Sequence, residues 1–396
     1  MRKIVIGGLV LGALAMVACD DKPSGGNAMP SASASAAPPP SAAAAAPSAS
    51  AKPEPEKAKK AEGPKDHKAL LKAMAEAWGT HDAKKVAGLY AEDGTITRPG
   101  RPELKGREAI EKRLGENFAA FKDLTIVPGR TWEKDKHTVV FEWVDKGTNT
   151  GDWPEIGIPK ATNKPFAVVG ASWVEVNDEG FIKTERNYLD GPTLFGQIME
   201  DKKNPVRAAI NTPPDGMTDY ESPAMKAKEA KDEKEKAELT KVMAEEKKNL
   251  EVEDKVIGHM NAGKPDEALK LVADDVKYAD YTMEKDVSGK KTFGEFVHKW
   301  FTAFPDIKTK STASFVDGDF VIEEFEYTGT QKGALGSIKP TNKTATFHQL
   351  EVDQFKDGKL VKAWVYGNNG ELLTQLGVAA PGTAPSTAPS AKPAAK

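Results

Sequence analysis

Residues 187–198 read NYLDGPTLFGQI, and residues 365–376 read VYGNNGELLTQL. The two stretches align without a gap, Tyr188 on Tyr366 and Gln197 on Gln375, so Asp190 stands where the second copy has Asn368. These two side chains do different chemistry. Burial raises a carboxylate's pKa toward neutrality, and a carboxylate so tuned can take a proton from carbon next to a carbonyl. Asparagine has no titrating group; it can donate to an oxyanion but cannot take the substrate's proton. The extended residues before each site put alternate side chains on one face. In the first copy that face carries Arg186, Tyr188 and Asp190; in the second it carries Trp364, Tyr366 and Asn368. Tyr188 is a hydrogen-bond donor to a carbonyl, whereas Arg186, if close, holds Asp190 ionised. The Trp-Tyr-Asn set suits an apolar ligand with one polar handle. A second reading is structural. Asp190 precedes Gly191-Pro192-Thr193, and Asp or Asn there caps its own following backbone equally well.

The elements that position these residues occur twice. HDAKKVAGLYAEDGTI from His81 answers GKPDEALKLVADDVKY from Gly263, AAFKDL at Ala119 answers TAFPDI at Thr302, and GIPKATNK at Gly157 answers GSIKPTNK at Gly336. Four matches in one order imply duplication. Each copy opens with helical patterns: HKALLKAMAEAW, AKKVAGLYA and GREAIEKRLGENFAAF in the first. Strands follow: LTIVPGRTWE and HTVVFEWVD form one hairpin, and FAVVGASWVEV turns at NDEG into FIKTERNYL. In the second copy KTKSTASFV, DGD and FVIEEFEYTG repeat the first hairpin, and TATFHQLEVDQF, KDG and KLVKAWVYG the second. Helices first and antiparallel strands later predict an α+β unit, a curved sheet packed on helices with room for a pocket.

The segments FTAFPDIKTK, DGDFVIEEFEYTGTQKG and DQFKDGKLVKAWVYGNNGELLTQLG resemble the SnoaL-like (polyketide cyclase-like, or ester cyclase) branch of the NTF2-like superfamily. The signature pieces are FPD at Phe304–Asp306, Gly329 and Gly333, DGK at Asp357–Lys359, and QLG at Gln375–Gly377. The first copy is more diverged, with FKD and GQI in the corresponding places. The resemblance implies two cone-shaped α+β barrels that pair through the outer sheet, with each other or in a homodimer. It also implies a cofactor-independent aldol chemistry in which an aspartate at the end of a late strand shuttles the proton. Asp190 matches that position, and Asn368 replaces it in the second copy. A histidine on the preceding strand often partners the aspartate. His348 is there, and counting back from Gly180 and Gly358 puts Gly170 opposite it. The acid/base pair is therefore split between the copies. The expected ligand-pocket set is Arg186, Tyr188, His348, Trp364, Tyr366 and Asn368. His348 also reads as an ordinary polar residue of an alternating strand.

Composition bounds the rest. The formal net charge is −3 over 396 residues, with no basic block interleaved with aromatics, so no nucleic-acid partner is expected. The histidines are scattered singly, so no metal and no cofactor are expected. Residues 1–18 resemble a bacterial lipoprotein signal peptide: MRK, an apolar run too short to span a bilayer, then Met16-Val17-Ala18 before Cys19, the sole cysteine. The resemblance implies acylation of Cys19 and a lipid-anchored place in the bacterial cell envelope, at either membrane. Residues 19–64 and 379–396, rich in Ala, Pro and Ser, predict a disordered tether and tail. Domains are expected at 65–200 and 249–378, joined at 201–248 by a loop and a charged helix. Two functions follow from this reading. One is binding of a small, mostly apolar ligand or an envelope partner. The other is a cyclase or isomerase using Asp190.

Overall fold

A computed structural model describes residues 62–200, 206–213 and 232–378. Cys19, the signal sequence, most of the tether and the tail lie outside these residues. Asp66 starts the first helix, α1 (His67–Gly79), by accepting the Ala69 amide at 2.7 Å. Leu70, Met74 and Ala77 then recur on one buried face. Helix α2 (Ala83–Ala87) stops at Gly88, and Tyr90 begins strand β1 (Tyr90–Thr97). The pattern AKKVAGLYA predicts helix throughout, but its last residues belong to this strand. Its partner lies far along the chain, so no local pattern announces it.

The first copy continues with β2 (Leu104–Lys105), α3 (Arg107–Ala120), β3 (Thr125–Glu133), β4 (Thr138–Thr148), β5 (Pro165–Val176), β6 (Ile182–Leu189) and α4 (Gly191–Met199). The second has α5 (Glu233–Asn261), α6 (Pro265–Leu269), β7 (Val272–Asp280), β8 (Val287–Ser288) and α7 (Lys290–Ala303). It closes with β9 (Lys308–Asp317), β10 (Phe320–Thr330), β11 (Thr344–Lys356), β12 (Lys359–Gly367) and α8 (Asn369–Leu376). The charged segment and the first helix of the second copy are one uninterrupted helix, α5. The two sheets have the same order, β2-β1-β6-β5-β4-β3 and β8-β7-β12-β11-β10-β9. In each, the first strand runs parallel to the last and the remaining pairs are antiparallel.

Both faces of each central strand are covered. On β4, Val139, Phe141 and Trp143 join the core under α1 and α3, whereas Val140 and Val144 join a second core with the other sheet. That second core brings Trp132, Trp173 and Tyr188 against Phe320, Trp364 and Tyr366. Burial on both sides explains the almost continuous apolar run VVFEWV, which departs from simple alternation. Among the described residues no helix is long and apolar enough to cross a membrane.

Candidate functional site

The Asp190 face points at the other domain. Asp190 caps α4: its Oδ2 accepts the Thr193 amide at 2.8 Å and the Thr193 hydroxyl at 2.6 Å. Its Oδ1 accepts the Asn369 amide, the first residue of α8, at 2.8 Å. Asn368 answers in kind, its Oδ1 accepting from Gly370 at 3.1 Å and from Gly191 at 3.3 Å. Each residue therefore caps its own closing helix and receives the first amide of its counterpart. Burial pushes Asp190 up to about 7 against these hydrogen bonds. The cleft beside it measures about 10 Å³, enough for a water. Asp190→Ala is expected to cost about 2 kcal/mol, the loss of a cap plus stranded amides, and to leave any ligand binding in domain 1 unchanged. Urea denaturation beside a ligand titration checks both halves.

The other sequence-predicted pocket residues follow the same face, and the expectation that they line a pocket is corrected for all but Asn368. Tyr188 donates to Glu324 Oε1 at 2.9 Å, and Tyr366 donates reciprocally to Glu142. Arg186 pairs with Glu324 at 2.7 Å and Glu175 at 3.0 Å. Trp364 lies 3.8 Å under the Arg130 guanidinium. His348 is half-exposed, its Nδ1 3.0 Å from Glu371 Oε1 on α8, which holds its pKa up. The Gly170–His348 correspondence shifts by one residue. Leu189 pairs with Gly170, but its counterpart Gly367 pairs with Gln349. Eighteen residues lie between Gly170 and Leu189 and seventeen between Gln349 and Gly367, so Val169 is the residue opposite His348. Gly170 is bare because a Cβ there would lie 2.3 Å from Trp143 Cη2.

The opposite face of the first sheet lines a cavity of about 400 Å³, within the range of small-molecule sites. Its apolar walls include Met74 and Trp78 of α1, Leu114 of α3, and Phe141, Trp153 and Phe166. A polar floor comes from the residues between those singled out on β6. Glu185 accepts from the Tyr90 hydroxyl and from Ser172 Oγ at 2.8 Å, and Asn187 Nδ2 sits 3.3 Å from both Ser172 and Glu185. Glu185 is thus committed to donors. Asp145, at the end of β4, is different: its Oδ1 has no hydrogen-bond partner among the described residues, and neither has Asn187 Oδ1. Burial pushes Asp145 up to about 7, with Arg98 opposing the shift. Arg98, Arg101 and Arg113 complete the lining. Sequence reasoning missed all of these; the signal it had was RPGR after β1, two arginines astride a turn.

That turn is held from domain 2. Asn368 Nδ2 donates to the Pro99 carbonyl at 2.7 Å, and Gly100, at φ +69°, sits so close to Glu371 that a Cβ would come within 2.9 Å of its backbone.

In domain 2 aromatic side chains stand at the corresponding place. Tyr327 stacks on Phe347 with centroids 5.1 Å apart and planes 13° apart, and Trp300 stacks on Phe347 at 6.0 Å. The ladders show what changed. Asp145 pairs with Val168 and Tyr327 with Phe347, each three residues before the threonine that bonds a turn aspartate, Thr148 to Asp123 and Thr330 to Asp306. Tyr327 therefore occupies the Asp145 position. Likewise Arg98 follows Thr97, the partner of Arg186, and Asp280 follows Ala279, the partner of Trp364.

Two α+β units with a mixed six-stranded sheet, helices on one face and an enclosed interior define NTF2-like domains. The chain carries two SnoaL-like domains: residues 251–376 match the SnoaL-like polyketide cyclase family and residues 71–184 match the SnoaL-like domain. Among solved structures, AclR of Streptomyces galilaeus is 23% identical over 34% of this chain and 97% of its own, with a TM-score of 0.31. IdmH of Streptomyces antibioticus is 20% identical over 33% and 99%, TM-score 0.29. A protein of Catenulispora acidiphila with a ketosteroid isomerase-like fold, in complex with trimethylamine, is 22% identical over 33% and 92%, TM-score 0.28. Each spans about one domain of this chain. No curated protein matches the sequence.

Proposed function

We propose that the chain is a lipid-anchored cell-envelope protein whose first domain receives a small, mostly apolar ligand and whose second domain braces that receptor. The cavity of about 400 Å³ in domain 1 carries the reading, since it is enclosed by apolar side chains and floored by a few polar ones. Domain 2 has stacked Trp300, Phe347 and Tyr327 at the corresponding place and contributes Asn368 to the arginine turn instead. The sequence ending at Cys19 supports the anchor. A cyclase or isomerase built on Asp190 finds no support in the geometry, because that carboxylate is committed to Thr193 and Asn369 beside a cleft too small for a substrate.

The test is a titration with the neutral apolar probe N-phenyl-1-naphthylamine, read by its fluorescence. Leu114 is 5% exposed and lines the cavity. Leu114→Trp is expected to weaken the probe at least tenfold while the far-ultraviolet spectrum stays native. Equal affinity in both proteins overturns the reading. Native mass spectrometry of protein extracted from its membrane would report acyl groups on Cys19 and a retained ligand together.

A further inference from the structure

We propose that the domain 1 cavity selects an acidic amphiphile, an apolar body ending in a carboxylate or phosphate, and receives the acid group on Arg98 with Arg101 beside it. The inference rests on the receptor reading above and names its ligand class.

The cavity is charged in a way its fold does not demand. Three guanidinium groups line one apolar enclosure. Arg113 is spoken for: it lies 3.3 Å from Glu116 and over the Trp153 ring at 5.4 Å. Arg98 makes no hydrogen bond or ion pair through its side chain to a described residue, although a guanidinium carries five N–H donors in a fixed fork. Arg98 is solvent-accessible and lines the cavity, and the protein around it still lowers its pKa, with Arg113 adding repulsion. Burial lowers Arg101 as well, and both other arginines repel it. An incoming anion relieves that repulsion and supplies the acceptors Arg98 lacks, in the bidentate geometry that suits carboxylate and phosphate.

The acidic groups nearby do not already serve that purpose. Glu185 and Asp145 both attract Arg98. Glu185 takes its hydrogen bonds from Tyr90, Ser172 and Asn187. Asp145 keeps an unpartnered oxygen and, when protonated, becomes a donor to the same acid group. Domain 2 supplies the control within one chain. There the Arg98 position is Asp280, whose Oδ1 accepts the Thr282 amide and hydroxyl at 2.9 and 2.7 Å, and the Asp145 position is Tyr327. The same architecture there has a carboxylate at the Arg98 position. The lining is a property of domain 1.

The body of the ligand follows from the walls. Toward α1 and α3 the walls are apolar, with Met74, Trp78, Leu114, Phe141 and Phe166, side chains that suit hydrocarbon. An acid group at the Arg98 end and an alkyl or aryl body toward α1 and α3 uses both parts.

Displacement of N-phenyl-1-naphthylamine by decanoate, decyl phosphate, decanol and decyltrimethylammonium tests the inference on the full chain at pH 8. Decanoate or decyl phosphate is expected to compete at least tenfold more tightly than decanol, and the tighter of the two acids names the head group. Arg98→Met is expected to bring the acids within about twofold of decanol, with a native far-ultraviolet spectrum and retained probe binding verifying the fold. Arg98→Lys is expected to restore part of the preference. Equal competition by acid and alcohol, an acid preference that survives Arg98→Met, or tighter binding of the ammonium overturns the inference while the receptor reading stands. Failure of the probe to bind at all removes the receptor reading first. Should Arg98→Met not fold, the ranking of the four competitors on the wild-type protein decides alone.

Discussion

Arg130→Ala is expected to lower the free energy of unfolding by about 3–5 kcal/mol, the cost of stranding a buried charge. Arg130 on β3 and Glu142 on β4 form a two-pronged pair, at 2.8 and 2.6 Å, with side chains 7% and 0% exposed. Burial opposes the Arg130 charge, yet Glu142 more than offsets it and raises the pKa. The guanidinium is also wedged between aromatic faces, 3.8 Å from the Trp364 ring centre and 5.5 Å from that of Phe320, so it joins the two sheets. Alanine would leave Glu142 with the Tyr366 hydroxyl as its remaining partner and would open a void between the domains. The denaturant midpoint should fall with the slope unchanged. The combined change Arg130→Met, Glu142→Leu and Tyr366→Phe should recover most of the loss, since a buried pair replaced whole by apolar groups is often neutral. A single-variant loss below about 1 kcal/mol, the scale of an exposed pair, would show that water reaches this interface.

The same interface explains what could be read from the sequence and what could not. Period two put Arg186, Tyr188 and Asp190 on one face, as Trp364 and Tyr366 are in the other copy, and the strands keep that grouping. Local alternation cannot say which face meets a cavity when a duplicated partner covers the other. The hint was FEWV and EEF, a glutamate inside each apolar strand: Glu142 and Glu324 are the acceptors for Tyr366 and Tyr188. Duplication itself was legible because matching stretches recur in order, and the α+β class followed from helices preceding hairpins. The Gly170 correspondence slipped because the count ran through hairpins of unequal length. Arg98 and Asp145 were illegible because their proximity depends on β1 joining the sheet in parallel beside β6, a pairing with no local signal. A comparison of the two copies at Asp145 and Tyr327, charged in one and aromatic in the other, would have pointed to the cavity.

Acidification from pH 7.5 to 5 is expected to stabilise the protein, against the usual behaviour of ion-paired carboxylates. Four carboxyl groups meet inside domain 2: Glu253 of α5, Glu323 of β10, and Glu351 and Asp353 of β11, with Glu323 and Glu351 directly paired across the ladder. Glu253, Glu323 and Asp353 are 5%, 2% and 4% exposed, and each has one oxygen without a hydrogen-bond partner among the described residues. Burial pushes Glu323 and Glu351 up to about 7, and mutual repulsion adds to it in the cluster. The Tyr327 hydroxyl, 2.5 Å from Glu351 Oε1, pulls the other way. In the unfolded chain these groups ionise near their ordinary values, so between about pH 4.5 and 7 the folded state binds more protons. Stability is then fully present below the unfolded values and is lost as pH rises through the folded ones. His348, its pKa raised chiefly by the hydrogen bond it donates to Glu371, acts in the same direction. One group shifted this far contributes at most roughly 3 kcal/mol, or about 5 °C in the midpoint of a domain pair this size. Glu351→Gln keeps an acceptor for Tyr327 and removes the charge, so it should raise the midpoint at pH 7.5 and flatten the pH profile. A midpoint that climbs from pH 5 to 7.5 in the wild-type protein would mean that the cluster is ionised in the fold.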